Sequence, residues 1–281
     1  MNDYVIARKY RVLSQIGSGS FGQVYKGISV RRGSPVAIKL DNQGSMLKHE
    51  TTILKYLYDA NCRQIPAVYW YGPVGDKMGL VMSYYDGSLT DYLQSKTLSV
   101  SKLNNIIVQY IHILESIHNL FVIHRDIKPQ NCMIKRGELF LVDFGMAIFY
   151  IDDNRAHAVD AIDAETIIGS PKYISYYIHQ GHSPSRRDDM ISLGYMYLFL
   201  LHHELPWETV NADEEEDCQW SELYTQNKNN QERMHLKQWD TLSPICSRIS
   251  PAFEAYMRVC YSLAYEEMPN YFSCAQFFYH T

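Results

Sequence analysis

Residues 124–131 read His124-Arg125-Asp126-Ile127-Lys128-Pro129-Gln130-Asn131. In this run an acid is followed by a lysine two residues later and by an asparagine five residues later. Asp126 is a candidate base, because a carboxylate can orient a hydroxyl nucleophile and accept its proton. Asn131 is a candidate Mg²⁺ ligand through its amide oxygen. The run therefore points toward phosphoryl transfer to a hydroxyl group.

A second acid follows an apolar stretch further along the chain. Leu139-Phe140-Leu141-Val142 predicts a short strand, and it leads directly into Asp143-Phe144-Gly145. A carboxylate at this place can bridge Mg²⁺ to the β- and γ-phosphates of a nucleotide. Asp143 is therefore the second predicted metal ligand.

A glycine-rich loop precedes both acids. It reads Gly17-Ser18-Gly19-Ser20-Phe21-Gly22 and follows a strand-like segment that starts at Tyr10. Such a loop also occurs in dinucleotide-binding folds, where it opens a helix, and Asp41 lies near the distance of their ribose-binding acid. Residues 23–30 are instead β-branched and aromatic, and Gly27 interrupts them. This favours a strand–loop–strand cover over phosphates.

A lysine and a glutamate are placed to complete a phosphate site. Lys39 lies on the predicted strand 35–40, from which it can reach the α- and β-phosphates. A helix is predicted from about Ser45, and Glu50 on its inward face can pair with Lys39. The residues that define this face recur at three- and four-residue spacings: Leu47, Glu50, Leu54 and Leu57.

The periodicity changes from strand-like to helical along the chain. We therefore predict an α+β protein with a small β-rich lobe over about residues 10–85 and a larger helical lobe over about 86–280. Further strands are predicted near 67–71 and 79–84. The predicted helices of the second lobe span 88–94, 101–120, 186–203, 251–264 and 270–279. The polar region 208–240 yields no defined prediction.

Taken in order, these motifs resemble a eukaryotic-type protein kinase from Tyr10 to Tyr279. The resemblance implies one bilobal kinase domain over residues 10–280, with ATP and Mg²⁺ as ligands. Lys128 resembles the Ser/Thr-kinase pattern, in which it steadies the γ-phosphate, so protein Ser and Thr hydroxyls are the implied acceptors. The implied catalytic residues are Asp126, Lys128, Lys39 and Glu50, and the implied metal ligands are Asn131 and Asp143.

A narrower resemblance rests on residues 169–175, 185–195 and 205–207. They read Gly-Ser-Pro-Lys-Tyr-Ile-Ser, Ser-Arg-Arg-Asp-Asp-Met-Ile-Ser-Leu-Gly-Tyr and Leu-Pro-Trp, and they are similar to the casein kinase 1 family. That family lacks an Ala-Pro-Glu element, and residues 175–177 here read Ser-Tyr-Tyr. The related vaccinia-related kinases resemble the chain as near neighbours. The resemblance implies constitutive activity.

The kinase resemblance also assigns the nucleotide contacts, although ordinary core packing explains the apolar positions nearly as well. The implied nucleotide-binding residues are Ile16, Gly17, Ser18, Gly19, Ser20, Phe21, Gly22, Val24, Ala37, Lys39, Met82, Tyr85, Met133 and Val142. Met82 would be the gatekeeper, and the Tyr85 backbone would hydrogen-bond the base. Leu54, His124 and Phe144 would form a stacked spine. Asp189 would anchor the backbone of the catalytic loop.

The charge pattern departs from that of casein kinase 1, whose members prefer acidic or phosphorylated substrates. The chain keeps Arg125, Arg186 and Arg187, but it carries an unbroken acidic run at 213–217 and acids in the activation segment. Those acids are Asp152, Asp153, Asp160, Asp163 and Glu165. Because like charges repel, we hypothesise that the preference for phosphorylated substrates is weakened, or inverted toward neutral or basic sequences.

Three of these acids suggest a second hypothesis, about Arg125. Asp160, Asp163 and Glu165 could supply an anion for Arg125 in place of a phosphate group. The alternative is that they belong to a solvated loop.

Composition limits the other function classes. With 26 Lys+Arg against 31 Asp+Glu, the formal charge is −5, so no nucleic-acid partner is expected. The longest nearly apolar run, 190–201, is shorter than a membrane span, which needs about 20 residues, so no membrane partner is expected either. The six cysteines form no Cys-x-x-Cys pair. We expect free thiols and an intracellular monomer, cytoplasmic or nuclear, in a host cell if the chain is virus-encoded.

Two rival functions remain at this stage. The first is a pseudokinase or scaffold that binds nucleotide and a protein partner without transferring phosphate. The second is a small-molecule kinase of related fold, which would typically lack the 169–193 pattern. Phosphate transfer to a peptide hydroxyl distinguishes all three.

Overall fold

The computed structural model describes residues 4–19, 22–42, 44–95, 98–162, 168–208 and 228–279. The chain divides into two compact units. The first contains Met1–Ser88 and Met133–Gly145, and the second contains Leu89–Cys132 and Met146–Thr281. The acidic run 213–217 lies outside the described residues.

The described strands belong mainly to the first unit. They are β1 (Val5–Ile6), β2 (Tyr10–Gly19), β3 (Gly22–Ser29), β4 (Pro35–Asp41), β5 (Val68–Val74), β6 (Lys77–Ser83), β7 (Val122–Ile123), β8 (Cys132–Lys135), β9 (Glu138–Leu141) and β10 (Ile148–Phe149). The first six form one antiparallel sheet in the order β1-β2-β3-β4-β6-β5. A strand, not a helix, follows the glycine loop, which confirms the strand–loop–strand prediction.

The described helices belong mainly to the second unit. They are α1 (Ser45–Asp59), α2 (Leu89–Ser95), α3 (Val100–His118), α4 (Tyr176–His179), α5 (Arg186–His202), α6 (Lys228–Leu236), α7 (Trp239–Ile249), α8 (Pro251–Ser262) and α9 (Tyr271–Gln276). Only α1 lies in the first unit, and it begins at the predicted residue. The predicted α+β class, with a β-rich N-terminal part and a helical C-terminal part, is confirmed.

The two faces of the main sheet differ, because one face packs in the core of the unit and the other carries Lys39. Alternate residues of a strand point to opposite faces, so Val36, Ile38 and Leu40 of β4 share one face. These three pack with Val81 in the core of the unit. Lys39 lies between them in sequence and therefore faces the other way. The strand thus supports the core and presents the lysine at the same time.

Gly22, at the start of β3, lies where the backbone of β4 approaches closely. Its φ is +96°, and a Cβ atom there would lie 2.2 Å from the carbonyl oxygen of Leu40. A non-glycine side chain rarely adopts this φ and would collide with the strand next to it. The last glycine of the loop therefore allows β3 to pack closely against β4.

A β-hairpin precedes Asp143 in the first unit. Strands β8 and β9 pair through a turn at Arg136 and Gly137, both with positive φ (55° and 84°), as a two-residue hairpin needs. The N–H of Ile134 donates to Gly87 O, and the N–H of Leu141 donates to Gln64 O. These bonds tie the hairpin to earlier parts of the same unit.

Helices α2, α3, α5, α8 and α9 follow the predictions, whereas α4 and α6 were not predicted. Helix α5 is buried along most of its length, as its apolar sequence indicates. Helix α7 was not predicted, and it contains Pro244. No helix among the described residues is both long enough and apolar enough to cross a membrane.

Candidate active site

Lys39 is held between two carboxylates in the first unit. Its Nζ lies 2.9 and 3.0 Å from the two Glu50 oxygens and 2.8 Å from Asp143 Oδ1. Lys39 and Glu50 are almost fully buried, with 7% and 1% of their surface exposed. Burial alone would lower the pKa of Lys39, but the charges of Asp143 and Glu50 outweigh it and raise that pKa. The lysine therefore keeps its positive charge at neutral pH.

Several predicted nucleotide contacts share one face of the sheet with Lys39. Val24 pairs with Lys39 across β3 and β4, and Ala37 pairs with Met82 across β4 and β6. Because directly paired residues lie on the same side and Ala37 lies two residues before Lys39, all four side chains project from one face. Ala37 and Met82 are buried, so they also serve as packing.

The remaining nucleotide predictions fall at the sheet edge, in the loop and in the hairpin. Gly19 pairs with Gly22 where β2 and β3 close, whereas Ser20 and Phe21 lie outside the described residues. The Tyr85 ring packs 4.7 Å from that of Phe140. Of the other predicted residues, Gly17 and Ser18 belong to β2, Ile16 is half exposed, Val142 is buried and Met133 pairs with Ser88.

Asp126 lies at the centre of a polar cluster in the second unit. Its Oδ2 is 2.9 Å from Lys128 Nζ and 2.8 Å from Asn131 Nδ2. Its Oδ1 accepts a hydrogen bond from the Ser170 hydroxyl at 2.7 Å, and Lys128 Nζ lies 3.0 Å from the same Ser170 Oγ. Lys128 thus contacts both the carboxylate and the hydroxyl that is bonded to it.

The hydrogen bonds of Asn131 fix the orientation of its amide. Nδ2 donates to both the backbone oxygen and the Oδ2 of Asp126. Since both neighbours are acceptors, the NH₂ group must face Asp126. The Oδ1 oxygen is then left for another ligand, which fits the predicted contact with a hard cation.

Asp189 holds the backbone before Asp126. The N–H of His124 donates to Oδ2 at 2.8 Å, and the N–H of Arg125 donates to Oδ1 at 2.9 Å. His118 Nε2 lies 3.0 Å from Oδ2. Burial alone would raise the pKa of Asp189, but the bond from His118 and the charges and N–H groups around it lower that pKa. These are the backbone contacts that the resemblance implied for Asp189.

The predicted spine residues are all fully buried. Leu54 and Phe144 lie in the first unit, and His124 lies in the second. His124 Nδ1 also accepts from the N–H of Asp126 at 3.3 Å. The ring of His124 therefore contributes to the position of the candidate base.

The sequence comparison agrees with this geometry. The protein kinase domain matches residues 10–270, which include both polar clusters and most of the described strands and helices. The chain belongs to the protein kinase family. The predicted kinase fold is confirmed by this match.

Arg125 of the kinase has a strained backbone and no described acid from the activation segment as partner. Its φ is +68°, and its Nε donates to the backbone oxygen of Met146. Burial lowers its pKa to about 10, although the charge of Asp189 acts in the opposite direction. Asp160 instead bonds His182 Nδ1 at 2.9 Å and the N–H of Ser183 at 3.1 Å. Asp160 therefore does not serve as the substitute anion, while Asp163 and Glu165 lie outside the described residues.

Two of the kinase's retained arginines have structural partners. Arg186 donates to Tyr150 Oη and to the backbone oxygen of Glu266. Arg187 donates to the backbone oxygen of Leu263 at 3.1 Å, and its guanidinium lies 3.6 Å from the ring centroid of Tyr177. Both arginines are buried. Their guanidinium groups bind partners within the second unit.

The sequence analysis did not identify Ser170 as a site residue. Its neighbour Gly169 has a φ of +115°, and a Cβ atom there would lie 2.7 Å from Arg125 O. This close approach brings Gly169, and with it Ser170, next to residues 124–131 of the kinase. The Gly-Ser pair was visible in the sequence, but its contact with Asp126 spans 44 residues.

Proposed function

We propose that this kinase transfers the γ-phosphoryl group of ATP to serine and threonine hydroxyls of proteins. The observation that carries the proposal is the hydrogen bond from the Ser170 hydroxyl to Asp126, with Lys128 in contact with both groups. Oδ1 of Asp126 thus already accepts a hydrogen bond from a primary hydroxyl, which is the contact that a base makes with a hydroxyl nucleophile. A substrate hydroxyl would bind the same carboxylate, and Lys128 would steady the phosphoryl group that it attacks.

The polar cluster of the first unit supports ATP as the donor. Lys39 retains its charge and can bind the α- and β-phosphates, while Glu50 holds it in position. Asn131 and Asp143 are the residues that would hold Mg²⁺, through oxygen atoms suited to a hard cation. When bound, Mg²⁺ would neutralise charge on the phosphates.

A pseudokinase is the second candidate, and the side-chain contacts argue against it. Such a protein usually lacks the lysine, the base or the metal-binding acid. Here Lys39 is paired with both of its acids, and Asp126 is bonded to Lys128 and Asn131. A small-molecule kinase is disfavoured by segment 169–175, which packs against the base where a peptide acceptor would lie.

We further propose casein kinase 1-like, constitutive activity. The activation segment after Gly169 is held by unmodified side chains, because Ser170 bonds Asp126 and the Trp207 indole N–H donates to Lys172 O at 2.7 Å. A segment held in this way needs no added phosphate to order it.

Transfer of labelled phosphate tests these proposals. Phosphatase-treated protein would be incubated with γ-labelled ATP, Mg²⁺ and matched peptide libraries that contain Ser, Thr or Tyr as the acceptor. We expect labelled Ser and Thr peptides, and loss of label with Asp126→Asn and Lys39→Met. Label on Tyr alone would contradict the Ser/Thr assignment, and nucleotide binding without transfer would favour the scaffold.

The contacts of the basic side chains near Ser170 support a proposal about which peptides the kinase prefers. Lys172 is ion-paired with Glu208, and its Nζ lies 4.1 Å from the ring centroid of Phe199. Its charge is therefore neutralised within the kinase. Together with the buried Arg186 and Arg187, this supports a weak preference for acidic or phosphorylated substrates and a better one for neutral or basic peptides.

Glu208→Gln should change that preference. Glutamine keeps an acceptor for the N–H of Leu205 but removes the charge that neutralises Lys172. We expect kcat/KM for a peptide with an acidic or phosphorylated residue near the acceptor to rise about fivefold, the equivalent of about 1 kcal/mol. A peptide array measures the change, and the exposed Glu204→Gln serves as the control. An unchanged ratio between acidic and neutral peptides would reject this role of Glu208.

A further inference from the structure

Lys237, just after α6, is a fully buried lysine outside the catalytic cluster. Its Nζ lies 2.8 Å from Pro171 O, 2.8 Å from Ile174 O and 3.1 Å from His179 Nε2. In the part of the chain that the structure describes, no carboxylate forms an ion pair with it. Its polar partners are therefore two backbone carbonyl groups and one imidazole.

The surroundings of Lys237 make its burial costly. The Nζ atom lies 5.0 and 4.9 Å from the ring centroids of Tyr195 and Trp207. Burial lowers the pKa of the amine, and the charge of Arg233 lowers it further. An apolar side chain would avoid this desolvation cost, but it would leave the carbonyls of Pro171 and Ile174 without these donors.

Both carbonyls belong to the segment that carries Ser170. The Trp207 indole N–H donates to Lys172 O, so side chains from two other parts of the unit hold three of its carbonyl groups. The segment also folds back on itself, since the N–H groups of Tyr173 and Ile174 both donate to Ser170 O. The backbone that follows Ser170 is thus held by side chains from outside residues 124–131.

We propose that Lys237 is a positioning residue for phosphoryl transfer, because its amine fixes segment 170–175 and thereby holds the Ser170 hydroxyl on Asp126 and Lys128. The inference rests on the proposed function. Lys237 contacts neither Asp126 nor Lys128 and acts through Ser170. The same segment would support the backbone of a bound peptide next to its acceptor residue.

A double-mutant cycle separates positioning from general stability. Lys237→Met keeps the side-chain length and removes the donors. We expect kcat to fall about 10- to 100-fold with an unchanged KM for ATP, since small displacements at a reacting centre have effects of this size. In a Ser170→Ala background the same substitution should lower kcat less than threefold, because the residue it acts through is gone. Equal effects in both backgrounds would overturn the proposal.

Hydrogen exchange provides a readout that does not depend on activity. In Lys237→Met the amides of Tyr173 and Ile174 should exchange at least tenfold faster, while those of α3 exchange as in the unsubstituted protein. Unchanged exchange at both amides would overturn the positioning role even if the unsubstituted protein transfers phosphate. Lack of transfer together with faster exchange would reject the proposed function alone.

Two further variants complete the design. Lys55→Met, on an exposed part of α1, should leave kcat and the exchange pattern unchanged. Lys237→Gln retains two N–H donors on a shorter side chain and should keep more activity than Lys237→Met. If Lys237→Met does not fold, Lys237→Gln carries the same cycle with Ser170→Ala.

Discussion

We expect Asp126→Asn to lower kcat by about 10³-fold and to leave the affinity for ATP unchanged. Asparagine is nearly isosteric, and its oxygen can still accept from Asn131 and Lys128. Its amide nitrogen would then face Ser170 and the incoming hydroxyl. It cannot accept the proton that we propose Asp126 accepts, so the geometry is kept while the proposed base is lost.

Single-turnover transfer to a Ser peptide measures the loss, and fluorescence titration measures nucleotide binding. Asp76→Asn is a matched control, because Asp76 is an exposed acid in the turn between β5 and β6. A kcat within tenfold of that of the unsubstituted kinase would show that Asp126 is not the base. A parallel loss of ATP affinity would indicate a structural effect instead.

Lys39→Met should reduce both the stability of the folded kinase and its rate of phosphate transfer. Removing the amine leaves the Glu50 and Asp143 carboxylates close together without the Lys39 charge, and Glu50 is almost completely buried. Loss of one partner from a buried ion pair costs about 3 kcal/mol. We therefore expect the free energy of unfolding to fall by about that amount, and phosphate transfer to fall at least about 100-fold because the proposed contact of Lys39 with the phosphates is lost.

Urea unfolding at pH 7, followed by circular dichroism, tests the stability change. The pKa of Lys39 is raised by folding, so its contribution is fully present at this pH and is lost only when the pH rises past that pKa. Adding Glu50→Gln should recover part of the loss, because it removes one of the two negative charges that Lys39 neutralised. Lys55→Met should change the free energy of unfolding by less than about 0.5 kcal/mol. Equal stability of Lys39→Met and Lys55→Met would contradict the argument.

The elements that sequence analysis located well have strong local patterns. Helix α1 begins at Ser45 as predicted, because its apolar spacing is regular, and β4 follows from a compact apolar run. Helix α7 was missed because Pro244 normally breaks a helix and the region around it is polar. Local pattern therefore predicted the two parts of the kinase fold but not helices α4, α6 and α7.

Site residues could be predicted from the sequence only where the reactive side chain belongs to a short motif with a defined spacing. Lys39, Asp126 and Asp143 belong to such motifs. The proposed roles of Ser170 and Lys237 depend on contacts that span 44 and 66 residues, and no local sequence pattern indicates these contacts. The burial of Arg186 and Arg187 is likewise a tertiary property, because an arginine at the start of a helix is ordinarily exposed.

The anchoring of the catalytic loop has a consequence for synthesis on the ribosome. Asp189 holds the loop, His118 bonds Asp189, and the Tyr271 hydroxyl bonds His118 Nδ1 at 2.7 Å. Because chains emerge from their N-terminal end, the motif at 124–131 is made long before Tyr271. A nascent chain therefore contains residues 124–131 before it can complete the hydrogen bonds that hold this loop, and we expect the bond from Tyr271 to form only after α9 has been made.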